Sequence, residues 1–182
     1  YRPHDRGFHE AVYYASSHIG SAADPWNNDY FDDTYSHNGR RQQYQGYTTD
    51  VFFNEAIRWM GQQADNKEPF LCYLATAAAH GPLFVPDRYR QLYPNQPRNI
   101  ASFFGMIANI DENIGKLEQF LTAKKLRDNT LVVFLTDNGG TAGVTVHNAG
   151  MRGKKIELYE GGHRVPCFIR WPNGKLRSPT DI

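Results

Sequence analysis

Cysteine is scarce, with only Cys72 and Cys167 in 182 residues. They share no short spacing, so neither a disulfide framework nor a cysteine-based zinc site is supported. Both lie inside apolar runs, FLCYLAT and VPCFIRW, and read as core residues, because free cysteine packs as a small hydrophobe. Excess charge of one sign is lacking too. Twenty Lys and Arg oppose 19 Asp and Glu, for a net charge of +1. The basic residues are dispersed, which leaves no electrostatic footprint for nucleic acid or an anionic membrane. No apolar run approaches the ~18–20 residues that span a bilayer. No charged-then-apolar leader opens the sequence, an absence that means little where a chain begins inside a longer protein. With 40% hydrophobic and 14% aromatic residues, the composition excludes disorder and collagen and bounds the chain as one globular domain or part of one.

What is present is an alternation of apolar runs and amphipathic stretches. A helix is predicted from Thr48, with Thr48 as cap, Asp50 in the first turn, and Phe52, Ala56, Trp59 and Met60 on one apolar face. Asp65, Asn66 and Lys67 interrupt it, and Phe70 to Ala75 reads as a buried strand. Pro86 to Tyr93 reads as a short helical turn ended by Pro94 and Pro97. The clearest helix follows, its stripe formed by Phe103, Ile107, Ile110, Ile114, Leu117 and Leu121, closed by Lys124 and Lys125. Leu131 to Thr136 is apolar and β-branched without polar alternation, as in a strand buried on both faces of a parallel sheet. Strand, long helix and strand make a right-handed βαβ crossover the expected connection, and the fold class is α/β with a mostly parallel sheet flanked by helices. Residues 24 to 46, rich in Asp, Asn, Gly and Tyr, read as an irregular connection in which Asp32 and Asp33 are solvated.

The strand ending at Thr136 runs into Asp137, Asn138, Gly139 and Gly140. Ligands of open α/β sheets sit beyond the carboxyl ends of strands. Asp137 and Asn138 offer hard oxygens that suit Ca²⁺ or Mg²⁺, although Ca²⁺ takes ~6–8 ligands and other segments must contribute. The same tetrapeptide also satisfies the residue preferences of a tight turn. After Phe70 to Ala75 come Ala77, Ala78, Ala79, His80, Gly81 and Pro82, at the same sheet edge as Asp137 if the two strands are parallel. A single histidine there is either a structural residue or an acid–base group.

Arg152, Gly153, Lys154 and Lys155 precede Tyr159, Glu160, Gly161, Gly162, His163, Arg164, Val165 and Pro166, then an apolar run ending at Trp171 and Pro172. Together with the DNG at Asp137 to Gly139, this order resembles the type I sulfatases of the alkaline phosphatase superfamily. YRPHDRGF at the start resembles the sulfatase segment that follows a GKWHLG motif, and YFDDTYSHNGR is similar to the family's insertion beside the substrate pocket. Arg177 to Ile182 resembles the stretch leading to the C-terminal subdomain. The resemblance covers nearly the whole chain and implies that residues 1–182 are the central portion of a sulfatase catalytic domain, truncated at both ends.

The resemblance also implies roles. Asp137 and Asn138 would hold the divalent ion, usually Ca²⁺; Lys155 would bind a sulfate oxygen, with Lys154 as the competing lysine; His80, in a variant of the family's PHTP segment, would contact sulfate and protonate the departing alcohol. Glu160, Gly161, Gly162 and Arg164 are assigned to structure, the glycines for their conformational freedom. The formylglycine nucleophile of a CxPxR or SxPxR motif has no counterpart in these residues. The expected partner is a sulfated small molecule or glycan, with no nucleic acid and no membrane span in this segment, and the expected location is periplasmic or secreted. The piece alone is expected to be inactive. A related phosphodiesterase or phosphonate hydrolase, a non-catalytic homologue that binds sulfated glycans, and a plain α/β structural piece stay open as alternatives.

Overall fold

The computed structural model describes residues 2–14, 16 and 18–177, so the expectation for Ser178 to Ile182 lies outside the described residues. The chain forms two compact units, Tyr1–Leu117 and Glu118–Ile182.

In the first unit, β1 (Val12–Tyr13), β2 (Thr34–His37) and β3 (Arg40–Gln43) form an antiparallel sheet in that order. Ser36 pairs with both Tyr13 and Arg41. Asn38 and Gly39 both have positive φ, 51° and 84°, which a two-residue hairpin turn of right-handed twist requires. Part of the stretch expected to be irregular is therefore a hairpin, announced by its Asn-Gly pair. Helix α1 (Thr48–Asp65) buries Val51, Phe52, Phe53 and Met60, while Thr48 is not its cap. Tyr47 occupies that position without a side-chain bond, and the Thr48 hydroxyl instead donates to Asp33.

Two aromatic-rich clusters make this core: Ile19, Tyr30, Tyr47, Val85, Tyr89 and Met106, and Tyr35, Tyr44, Val51 and Phe52. The short helical turn is present as α2 (Asp87–Arg90). Helix α3 (Arg98–Ala123) follows, but the expected stripe is not its most buried face. Ile107 is 44% exposed, whereas Met106, Asn109 and Asn113 are fully buried. The two amides turn inward because both donate to Asp50 Oδ1 on α1, at 2.9 and 2.6 Å. A buried amide with a carboxylate partner displaces an isoleucine that has none to offer.

Phe70 to Ala75 forms neither helix nor ladder, and Leu71 and Tyr73 are 76% and 78% exposed. Cys72 is half-buried, and burial pushes its thiol pKa up.

In the second unit, β4 (Val132–Leu135) pairs with β5 (Cys167–Arg170) in antiparallel register, Val132 opposite Arg170 and Leu135 opposite Cys167. The α/β class stands, but the ladders among the described residues are antiparallel. Leu131, Leu135, Phe168 and Ile169 are exposed, and so is Cys167, contrary to its reading as core. A doubly apolar strand needs a layer on each face, and the described residues do not supply both. Arg170 ties the end of β5 to the last turns of α3 through Glu118, which also receives Arg127.

Candidate functional site

The second unit brings three of the four singled-out residues into neighbouring segments. The turn after β4 carries Asp137 and Asn138, and its next two residues are held by backbone bonds: Gly139 donates to Gly162 at 3.0 Å and Lys155 donates to Gly140 at 3.1 Å. Gly161 in turn donates to Arg152 at 2.8 Å. Asn148 Nδ2 closes the far side by donating to the carbonyls of Met151 and Gly153, at 2.8 and 2.7 Å. The DNGG, RGKK and YEGG stretches, from Asp137 to Gly162 in sequence, thus form one packed knot.

Absent side chains make this knot possible. A Cβ on Gly139 would lie 1.8 Å from the Gly161 oxygen, one on Gly161 would lie 2.2 Å from the Gly153 oxygen, and one on Gly162 would lie 2.0 Å from the Glu157 oxygen. Gly139, Gly161 and Gly162 are not among the positive-φ residues, so close backbone approach explains them, and the conformational freedom expected of the paired glycines does not. Gly161 and Gly162 are the middle residues of the short helix α4 (Glu160–His163) and its buried ones.

Asp137 is exposed and Asn138 half-buried, with Asn138 Nδ2 donating to Asp137 Oδ2 at 2.5 Å. That contact uses the amide nitrogen, so the hard donors this turn offers a cation are the Asp137 carboxylate and the Asn138 carbonyl oxygen. Among the described residues no group of three or more His, Cys, Asp or Glu could hold a metal. Lys155 is half-buried and Lys154 exposed; of the two, Lys155 is the one whose backbone is bonded to the turn after Asp137. Arg152 lies beside them with its guanidinium 3.7 Å from the centre of the Tyr159 ring and a 2.6 Å bond to that phenol.

His80 belongs to the first unit. It ends a tight turn in which its N–H donates to Ala77 O at 2.8 Å, with cis peptide bonds at Ala78–Ala79 and Gly81–Pro82. The ring is exposed, and Nδ1 lies 2.8 Å from the Gly81 carbonyl. A carbonyl only accepts, so Nδ1 carries the proton and Nε2 is the nitrogen left to exchange one with a ligand. The loop continues as Leu83 to Asp87 along a cavity of about 960 Å³, which Phe31, Arg90 and Arg98 also line.

Sequence reasoning missed the groups behind this loop. Asp33, expected in solvent, is 2% exposed. It accepts from the Asp29 and Tyr30 N–H groups and from the hydroxyls of Tyr35 and Thr48, at 2.9 to 3.2 Å. Burial pushes its carboxyl above the usual carboxylate range, and these donors oppose that rise. No local pattern distinguishes Asp33 from exposed Asp32, because the donors come from positions as distant as Thr48.

The Sulfatase family profile matches residues 2–181. The uncharacterized sulfatase YdeN of Escherichia coli is 27% identical over 180 residues, covering 97% of this chain and 30% of that protein. Human N-acetylgalactosamine-6-sulfatase is 30% identical over 128 residues, covering 68% of this chain and 23% of that enzyme. The solved structure of Ps i-CgsB in complex with k-i-k-neocarrahexaose is similar with a TM-score of 0.83 and 28% identity, over 94% of this chain and 41% of that one. The chain therefore spans less than a third of the length of these curated relatives. With the profile matched across the described residues and the DNGG, RGKK and YEGG stretches packed as one knot, the chain belongs to the sulfatase family.

Proposed function

We propose that this chain is the central portion of the catalytic domain of a sulfatase that hydrolyses sulfate esters of saccharides. The observation that supports it best is the knot joining Asp137–Gly140 to Lys155 and Gly162, found in a chain that the Sulfatase profile matches from residue 2 to 181. The saccharide class rests on relatives: one is named for an N-acetylgalactosamine sulfate and another was solved with neocarrahexaose.

Hydrolysis of a sulfate ester transfers sulfur to a nucleophile and expels an alkoxide, so the site must neutralise the sulfate oxygens and supply a proton to the departing oxygen. Asp137 and Asn138 would provide two oxygen ligands to Ca²⁺, whose charge polarises the sulfate when it is bound. Lys155 places an ammonium against a sulfate oxygen. His80, with Nδ1–H held on Gly81 O, would deliver a proton to the leaving oxygen through Nε2. The nucleophile is a formylglycine supplied from outside residues 1–182, so the isolated chain has no turnover. The parent is periplasmic or secreted.

The test is a kinetic comparison of the full-length parent with its H80Q, D137N and K155A variants on 4-nitrophenyl sulfate and on a sulfated galactoside. Losses of roughly 100-fold or more in kcat/KM are expected for D137N and K155A on both esters and for H80Q on the sulfated galactoside, whose alkoxide needs a proton, the scale of one electrostatic or acid–base group. A parent that hydrolyses bis(4-nitrophenyl) phosphate and no sulfate ester would reverse the assignment.

A further inference from the structure

The loop carrying His80 is held by two buried tyrosines that the catalytic reading does not use. Tyr30 is fully buried, and its hydroxyl donates to the His80 carbonyl at 2.8 Å and more weakly to Ala77 O at 3.4 Å. Tyr47, 4% exposed, donates from its hydroxyl to Phe84 O at 3.0 Å. The two rings stack at 5.9 Å between centres, with 22° between their planes. The loop is therefore pinned immediately at His80 and again four residues later, by donors that share one aromatic stack.

The support beneath Tyr30 is polar and buried. Tyr30 has a φ of 83°, a conformation that a bulky residue adopts only when its surroundings impose it. Asp33 Oδ2 accepts the Tyr30 N–H at 3.1 Å, and the Tyr30 carbonyl accepts the Thr48 N–H at 2.9 Å. Asp33 Oδ2 also takes the Tyr35 and Thr48 hydroxyls, so this oxygen joins strand β2 and helix α1 to the strained residue. The His18 ring lies 5.1 Å from the His80 ring, tilted by 43°. Outlying backbone conformations concentrate where geometry must be fixed for function, and here one stands a single hydrogen bond from the candidate acid.

We propose that Tyr30, seated on Asp33 and stacked on Tyr47, is a positioning residue for His80, and that His18 restrains the His80 ring so that Nδ1 stays on Gly81 O and Nε2 faces the leaving oxygen. The proposal rests on the sulfatase reading for its catalytic consequence and on the hydrogen bonds above for its structural one. Burial pushes both phenols far above their ordinary range, with Asp33 adding to the rise at Tyr30, and the hydroxyls accordingly remain donors at working pH. Neither tyrosine touches the sulfate. Each acts through the backbone of the loop.

The experiment uses the full-length parent with Y30F, Y47F and H18Q. Turnover is measured on a good leaving group, 4-nitrophenyl sulfate, and on a sugar sulfate whose alkoxide needs a proton. General acid catalysis contributes roughly 100-fold or more, so a misaligned acid in Y30F is expected to lose about tenfold in kcat on the sugar sulfate, change little on the aryl sulfate, and leave KM nearly constant. Y30F added to H80Q is expected to cost nothing further. Histidine-selective ¹⁵N spectra, with His80 assigned by its loss in H80Q, are expected to show one Nδ1–H tautomer in the parent and a mixture in Y30F and H18Q. Equal losses on both esters, or a His80 tautomer unmoved by Y30F and H18Q, overturn the proposal. If the parent hydrolyses no sulfate ester, the sulfatase reading falls, and the ¹⁵N comparison alone decides the positioning claim. If Y30F does not fold, Y47F and H18Q carry the same comparison.

Discussion

At the scale of single residues, the chemistry that matters is set by what surrounds a group and not by its type. Asp32 and Asp33 are adjacent and chemically identical, yet one is exposed and the other accepts four donors in the interior. Glu10 shows the opposite balance to Asp33. Partial burial works to raise its carboxyl, but Arg58 at 2.5 Å and His37 at 3.2 Å hold it below the usual range. A carboxylate held low in the folded state adds stability above its unfolded value of 4.5, lost as pH falls through the folded value. The melting-temperature advantage of the protein over its E10Q variant is therefore expected to shrink as pH is lowered from about 6 to about 3. Because the group is partly solvated, that advantage is under about 1 kcal/mol. Gly139 gives a larger effect: with a Cβ position 1.8 Å from a carbonyl oxygen, G139A is expected to destabilise the second unit by about 1–3 kcal/mol or more, read by urea denaturation.

At the scale of elements, the hairpin and helix α3 show which local signals are decisive. Asn38 and Gly39 announce the β2–β3 turn because few residue pairs tolerate two successive positive φ values. G39A at a φ of 84° is expected to lower stability by roughly 1–2 kcal/mol and to loosen the hairpin, measured by hydrogen exchange at the closing pair His37 and Arg40. Helix α3 is legible as a helix from its apolar period, but its inner face is not. Asn109 and Asn113 face inward because Asp50 waits on α1. N113A leaves the Asp50 carboxylate short of a donor, with an expected loss of about 1–3 kcal/mol in thermal unfolding. D50A added to N113A is expected to lose further stability, because the fully buried Asn109 amide is then left without its carboxylate acceptor.

At the scale of the whole molecule, the apolar residues of β4 and β5 stand exposed in a chain that covers under a third of its curated relatives. The isolated chain is accordingly expected to bind the hydrophobic dye ANS and to show no sulfatase turnover, whereas the full-length parent is expected to bind little dye and to turn over. Dye binding of equal strength by both would mean that this surface serves some purpose other than packing within the parent.

The order of residues along the chain was enough to establish the family, the helices α1 and α3 and the strands β4 and β5, and to single out His80, Asp137, Asn138 and Lys155 as candidates. Each of these depends on short-range periodicity or on a contiguous string such as DNGG or YEGG. The pairing direction of β4 with β5, the burial of Asp33, the inward turn of Asn109 and Asn113, and the tyrosine stack behind His80 were decided by tertiary structure. The reason is common to all of them. A strand's partner, the carboxylate that meets Asn109 and Asn113, and the loop that Tyr30 bonds come from elements dozens of residues away, and a desolvated polar group is stable only when its particular partners arrive together. The glycines of the knot make the same point: sequence locates them, but only the packed backbone shows that contact, and not conformational freedom, requires them.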